Sequence, residues 1–252
     1  MSRRRRGRLL DGLLLLDKPV AMSSNHALQR ARRLYDARKA GHTGTLDPFA
    51  TGLLICCFGR ATKLSTQLLE ADKTYIATLR LGQETTTADM DGEVLEQCSA
   101  EQVQAAASAQ QVAAVLPRFT GRIEQLPPMF SALKKDGRPL YEYARDGIEV
   151  ERKERTVEIY RLQTLFLQGQ TLGLLVDCSK GTYVRTLAQD IGRALGCFAH
   201  LTALRRTRIG PFSIARAQGL RALQQAKSNE VAIDQWLLKG RDLPSELLPV
   251  NF

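Results

Sequence analysis

A chain of 252 residues with 44% hydrophobic and 25% charged side chains has the composition of an ordinary globular protein, so disorder is not the default reading. The formal net charge is +10, and residues 1–40 hold eleven Lys/Arg against three Asp, which favours a polyanionic partner, either nucleic acid or an anionic membrane. Five cysteines (Cys56, Cys57, Cys98, Cys178, Cys197) without paired spacing fit a reducing compartment. The basic, then apolar N-terminus is interrupted by Asp11 and is too short for a signal peptide. No stretch is long enough to span a bilayer, so a cytoplasmic protein with no membrane partner is expected.

Arg3–Arg6 reads equally well as an arm for a polyanionic partner or as a solvated one. Gly12–Asp17 is expected to be a buried strand, stopped by Pro19. Ser23 and Ser24 can cap a helix running to about Arg38, with an apolar stripe of Ala27, Leu28, Ala31 and Leu34. That helix carries Arg30, Arg32, Arg33, Arg38 and Lys39 towards a Gly/Thr-rich loop at 41–48. Leu53–Phe58 is a second apolar run, Ala61–Glu70 is expected to be helical, and Lys73–Leu81 alternates with period two. An acidic loop, Thr85–Gly92, precedes a helix expected over Ala100–Leu116.

From Leu126 to Arg155 the composition shifts towards proline, glycine and charge, which reads as a projecting excursion with a short helix at Tyr141–Ala144. Thr156–Leu167 and Leu172–Cys178 alternate as a hairpin turning at Gly169. A helix over Tyr183–Leu195, closed by Gly196, and a strand over His200–Ile209 follow. Two short helices are expected at Arg216–Ala226 and Glu230–Lys239, then a loop-like segment, 241–252. Strands and helices interleave without a βαβ rhythm, so the expected class is α+β with a mixed sheet.

Several chemistries are excluded. His26, His42 and His200 are not at metal-ligand spacing, so no metal is expected. Gly41-His-Thr-Gly-Thr lacks the Gly-Lys-Ser/Thr of a phosphate loop. No dinucleotide fingerprint and no nucleophile elbow appears. Ordinary side chains must do the work.

The run Gly41-His-Thr-Gly-Thr-Leu-Asp47-Pro-Phe-Ala-Thr-Gly52 resembles the TruB family of tRNA pseudouridine-55 synthases. Leu15-Leu-Asp-Lys-Pro19 with Ser23-Ser24, Asp72-Lys-Thr-Tyr75, Cys178-Ser-Lys-Gly-Thr-Tyr-Val-Arg185-Thr and Leu204-Arg-Arg206 resemble its other motifs, in the family's order over roughly residues 12–210. The resemblance implies a mixed-sheet catalytic fold with a central cleft over 12–240, a thumb-like insertion at about 126–155, and no cofactor. It implies tRNA, gripped by its T-arm, as the partner of a monomer. A basic arm, 1–11, would precede the catalytic domain. A PUA domain, which bacterial members usually add, is expected to be absent after 241–252. Phe49 stands where the family more often has leucine, and Thr86 where it has an acid.

Residue by residue, the resemblance makes Asp47 the catalytic carboxylate, either nucleophile or base towards the sugar. Arg185 would pair with it and keep it ionised. Tyr75 would face the flipped uracil and relay the proton from C5. His42 would fill the space left by the flipped base, and Leu204 would form the apolar wall. Tyr183 would join the substrate-binding set, and Asp89 matches an acid beside the arginine. Lys18, Lys63 and Lys134 would meet phosphates. Taken alone, Asp47-Pro48 is an Asx-turn, Tyr75 a half-buried strand residue and Arg185 a surface ion pair. An RNA-binding module without catalysis and a guide-dependent synthase are the competing readings.

Overall fold

The computed structural model describes residues 7–247. Arg3–Arg6 and residues 248–252, and with them part of the expected loop-like C-terminus, lie outside the described residues. In chain order the first elements are β1 (Gly12–Lys18), α1 (Ser24–Leu34), β2 (Ala40–His42), β3 (Thr51–Phe58) and α2 (Ser65–Glu70). They are followed by β4 (Lys73–Leu81), β5 (Gln83–Thr85), β6 (Val94–Gln97), α3 (Ala100–Ala106), α4 (Ala109–Val115) and β7 (Gly121–Gln125). Next come β8 (Lys134–Lys135), β9 (Arg138–Pro139), α5 (Leu140–Arg145), β10 (Arg155–Gln168), β11 (Thr171–Cys178) and α6 (Val184–Ala194). The last are β12 (Ala199–Ile209), β13 (Phe212–Ser213), β14 (Gln218–Gly219), α7 (Leu220–Ser228) and β15 (Leu237–Leu238).

The chain divides into two compact units, one built from residues 7–74 and 205–247, the other from 75–204. It passes from one to the other inside β4 and returns inside β12.

In the first unit the strand order is β14-β1-β3-β12. β1 runs parallel to β14 and antiparallel to β3, whereas β3 and β12 are parallel at Arg205↔Thr51 and Arg206↔Gly52. The sheet is therefore mixed, as expected. Both faces are covered. Leu14 and Leu16 of β1, with Leu54, Cys56 and Phe58 of β3, pack under α1 and α7. Leu13 and Leu15, with Leu53, Ile55 and Cys57, pack against Ala61, Leu64 and Leu68 on the other side. A strand buried on both faces has no polar alternation, which is why both read as unbroken apolar runs. Burial pushes the Cys57 thiol up to about 12, so it behaves as a small hydrophobe rather than a nucleophile. Gly52 has φ +102°, and a Cβ there would lie 2.3 Å from the Arg206 carbonyl oxygen. Only glycine lets β3 approach β12 this closely.

In the second unit the order is β4-β11-β10-β7, with β10 antiparallel to both neighbours. The hairpin of β10 and β11 turns at Gly169, φ +55°, where sequence alternation placed it. α6 buries Val184, Leu187, Ala188 and Ile191, and Gly196, at φ +74°, follows its end.

Five expectations need correction. α1 stops at Leu34 instead of Arg38, because Asp36 turns the backbone to φ +47° and the Arg32 guanidinium takes the Ala37 and Arg38 carbonyls. Residues 40–42 form a strand within the expected loop. Gly59–Leu64 is a 3₁₀ turn ahead of the short α2. The helix expected over 100–116 is two helices, since the Ser108 side chain caps a new start at the Gln111 amide. The segment 230–239 is a 3₁₀ turn, Ile233–Trp236, followed by β15, which pairs with β1 at Leu14↔Leu237 and buries both leucines of the strand.

Candidate active site

The loop carrying Asp47 hangs between β2 and β3 and belongs to the first unit. Three side chains hold its backbone. The buried Ser24 hydroxyl accepts from the Leu46 amide at 2.7 Å and donates to the Leu46 carbonyl at 3.0 Å. Arg206, 1% exposed, donates from Nε to the Leu53 carbonyl at 2.8 Å and from Nη2 to the Gly44 carbonyl at 3.0 Å. Lys18, fully buried, donates to the carbonyls of Pro19 at 2.9 Å, Met22 at 2.6 Å and Pro48 at 3.4 Å. A tight turn, with the Ala50 amide donating to the Asp47 carbonyl at 3.1 Å, completes the loop. Asp47 itself is half-buried.

Sequence reasoning missed two of these holders. Ser24 was read as a helix cap, yet Ser23 caps α1 through the His26 amide, which frees the buried Ser24 hydroxyl for Leu46. Arg206 entered only as part of a motif. The signal for Ser24 was a pair of serines where one cap suffices; for Arg206, flanked by Arg205 and Arg208 in β12, the sequence carried no signal that set it apart.

A phosphate contact for Lys18 does not fit the structure. Its ammonium is out of solvent and committed to carbonyl oxygens. Burial lowers its pKa to about 8, opposed by the neighbouring Asp47 carboxylate and assisted by the Arg206 guanidinium. Lys18 thus places a titratable positive charge beside Asp47. The rate of reaction is expected to fall as pH rises through about 8, when that charge is lost. Unfolding does not explain such a fall. An unfolded lysine keeps its proton to about 10.5, so between the two values the unfolded state binds the extra proton. Stability from this group therefore rises with pH across that window. Rate profiles taken beside circular dichroism check this; an alkaline limb that persists in Lys18→Met removes Lys18 as its cause.

His42 lies at the end of β2, half-buried, with Nδ1 buried and without a hydrogen-bond partner among the described residues. Burial, then the Arg206 charge, lowers its pKa, so the imidazole is neutral at pH 7. Lys63 is exposed and, with Arg38 and Lys39, lines a cavity of about 520 Å³. Arg8 and Arg60 on the same cavity are engaged by Asp234 and Asp11.

The second unit holds the other expected residues. Arg185 is 5% exposed at the start of α6. It donates from Nη1 to the Thr87 carbonyl at 2.9 Å and from Nη2 to the Phe130 carbonyl at 2.6 Å. Asp89 Oδ2 lies 3.8 Å from Arg185 Nη1, so the acid stands beside the arginine. The Asp89 carboxylate also accepts from the Thr87 hydroxyl and the Asp91 amide. Thr86, in the position of the missing acid, closes the same loop by accepting from the Glu93 amide at 3.1 Å.

Tyr183 precedes α6. The Gln125 side chain, 1% exposed, accepts from its amide at 3.0 Å and donates to its carbonyl at 3.3 Å. The Arg155 guanidinium sits 5.9 Å from the Tyr183 ring centre, within cation–π range. Gln125 is a further residue that sequence did not single out; β7, which carries it, lacks an apolar face. Tyr75 and Leu204 are both buried. In the excursion, Lys134 is exposed, whereas Arg138 is held by Glu142 and Asp146 and lies over the Tyr143 ring.

Among the described residues no cluster of three His, Cys, Asp or Glu fits a metal ion, and no helix is long and apolar enough to cross a membrane.

Residues 32–184 match the family model described as TruB family pseudouridylate synthase, N-terminal domain. Residues 185–248 match that of the tRNA pseudouridylate synthase B C-terminal domain. A protein of Bordetella avium named tRNA pseudouridine synthase B is 59% identical over 248 residues, 98% of this chain and 99% of its own length. One of the same name from Burkholderia mallei is 60% identical over 223 residues, 88% of this chain and 72% of its own. The crystal structure of a Cbf5-Nop10-Gar1 complex contains a chain with 28% identity and a TM-score of 0.68, over 90% of this chain and 59% of that one. Two adjoining family models, with relatives this similar over most of the sequence, lead to one conclusion: the chain belongs to the TruB family of pseudouridylate synthases.

Proposed function

We propose that the protein isomerises a uridine of tRNA, the T-loop uridine at position 55, to pseudouridine, with Asp47 as the catalytic carboxylate after the base is flipped out. The observation that carries the reading is the near-complete match to relatives named for this activity. The fixed, half-buried loop around Asp47 supports it.

The reaction breaks the N1–C1′ bond, turns the uracil and joins C5 to C1′, and the proton leaving C5 balances the one gained at N1. No water is consumed. Glycosidases need a second carboxylate to activate water; here one suffices. Asp47 acts on the sugar, Arg185 keeps it ionised, and Tyr75 relays the C5 proton. Leu204 excludes water, which strengthens the charges around the reacting carbon. His42, neutral and compact, occupies the space of the flipped base and lowers the unstacking cost. Tyr183 and Asp89 serve substrate binding, and Lys63 and Lys134, both exposed, meet phosphates. The segment 126–155 acts as a thumb over the T-arm, which is recognised chiefly by shape.

Incubating the protein with an unmodified tRNA transcript, without guide RNA, is expected to give one pseudouridine, at position 55. Product only when a guide RNA is added would establish the guide-dependent reading instead. Product elsewhere in the tRNA would refute the T-loop assignment.

A further inference from the structure

The basic residues of α1 do not form one surface. Arg32 is spent on closing the helix, while Arg30 faces a cavity of about 480 Å³ in the first unit, apart from the one that Lys63 lines. Arg205 from β12 and Arg221 from α7 line the same cavity. Arg205 is fixed in a two-point pair with Asp17, Nη2 to Oδ2 at 2.7 Å and Nη1 to Oδ1 at 3.1 Å, and its Nη1 lies 3.4 Å from the Thr51 hydroxyl. Neither Arg30 nor Arg221 has an ion-pair partner among the described residues. Three guanidiniums thus face one carboxylate around an open space. The first turn of α7 adds amides with no side-chain cap and no acidic residue.

Converging guanidinium forks match phosphate oxygens. Among the described residues no aromatic side chain lines the cavity, so a nucleobase would find no stacking platform there. The ligand chemistry is therefore phosphate without its base. We propose that this cavity binds a backbone phosphodiester of the RNA. This rests on the reading of the protein as an RNA-modifying enzyme.

The test is the double variant Arg30→Ala/Arg221→Ala, with Arg205 left in its pair with Asp17. Binding of labelled tRNA is followed by anisotropy across a salt series, and turnover is measured in the same preparations. The expected result is a Kd about tenfold higher and a salt slope shallower by about one phosphate contact, with KM raised and kcat at saturating RNA unchanged. Unchanged Kd and slope would overturn the site. So would binding of AMP or inorganic phosphate that depends on both arginines while tRNA binding does not, since the ligand is then a small phosphate. Failure of the wild-type protein to form pseudouridine would sink the functional reading and leave the salt-slope result standing on its own. Matching thermal unfolding of variant and wild type separates either result from misfolding.

Discussion

Asp47→Asn is expected to lower turnover on the order of 10⁴-fold or more, while tRNA affinity changes by less than about tenfold. Removing one carboxylate that faces a polyanion should alter binding by no more than roughly 1.4 kcal/mol. The asymmetry follows from how the loop is built. Ser24, Lys18 and Arg206 grip the backbone of Leu46, Pro48 and Gly44, and the turn at Ala50 uses the Asp47 carbonyl. Those backbone contacts survive when the Asp47 carboxylate becomes an isosteric amide. Tritium release from uridine labelled at C5, measured with excess enzyme, reads the chemistry directly. A wild-type rate in the variant would remove Asp47 from the mechanism.

Arg206→Met is expected to be the most damaging change to stability among the loop's holders. It leaves the carbonyls of Leu53 and Gly44 without their donors, at about 1–3 kcal/mol for each buried acceptor. Methionine fills part of the volume, and removing a buried charge recovers some desolvation, so the net loss is about 2–4 kcal/mol. For a chain of this size that lowers Tm by about 4–16 °C. Arg206→Lys should fall between the two, because one ammonium cannot reproduce the spread of a planar guanidinium. A Tm for Arg206→Met within about 2 °C of wild type would show that the loop does not depend on this bridge. The variant should also turn over slowly at temperatures where it is folded, since Gly44 and Asp47 share one short loop.

What the sequence revealed depended on whether the cause was local. β1 and β3 announced themselves because both faces of each strand are buried, and β4 because its burial alternates residue by residue. β6 stayed hidden, since all four of its residues are exposed and no pattern betrays a strand held by backbone bonds alone. The break between α3 and α4 was invisible to periodicity, because a single serine cap restarts the helix without disturbing composition. The segment 230–239 looked helical, yet Leu237 and Leu238 pair with β1, a tertiary contact that overrides propensity.

The candidate site divides along the same line. Asp47 and its neighbours form a contiguous motif and could be found by eye. The holders of that loop could not. Arg206 meets Gly44 across 162 residues of chain, and Ser24 meets Leu46 across 22. Lys18 looked like a phosphate ligand because charge in a sequence carries no information on burial. Its ammonium is instead enclosed by carbonyls.

Arg185 gives one more consequence. Its guanidinium is buried, and one of its donors ends on the Phe130 carbonyl, within the segment 126–155. Displacing that segment would leave a buried donor unsatisfied, at a cost of about 1–3 kcal/mol. The head of α6 and that segment are therefore coupled, since neither can move away without exposing a polar group that the other keeps paired.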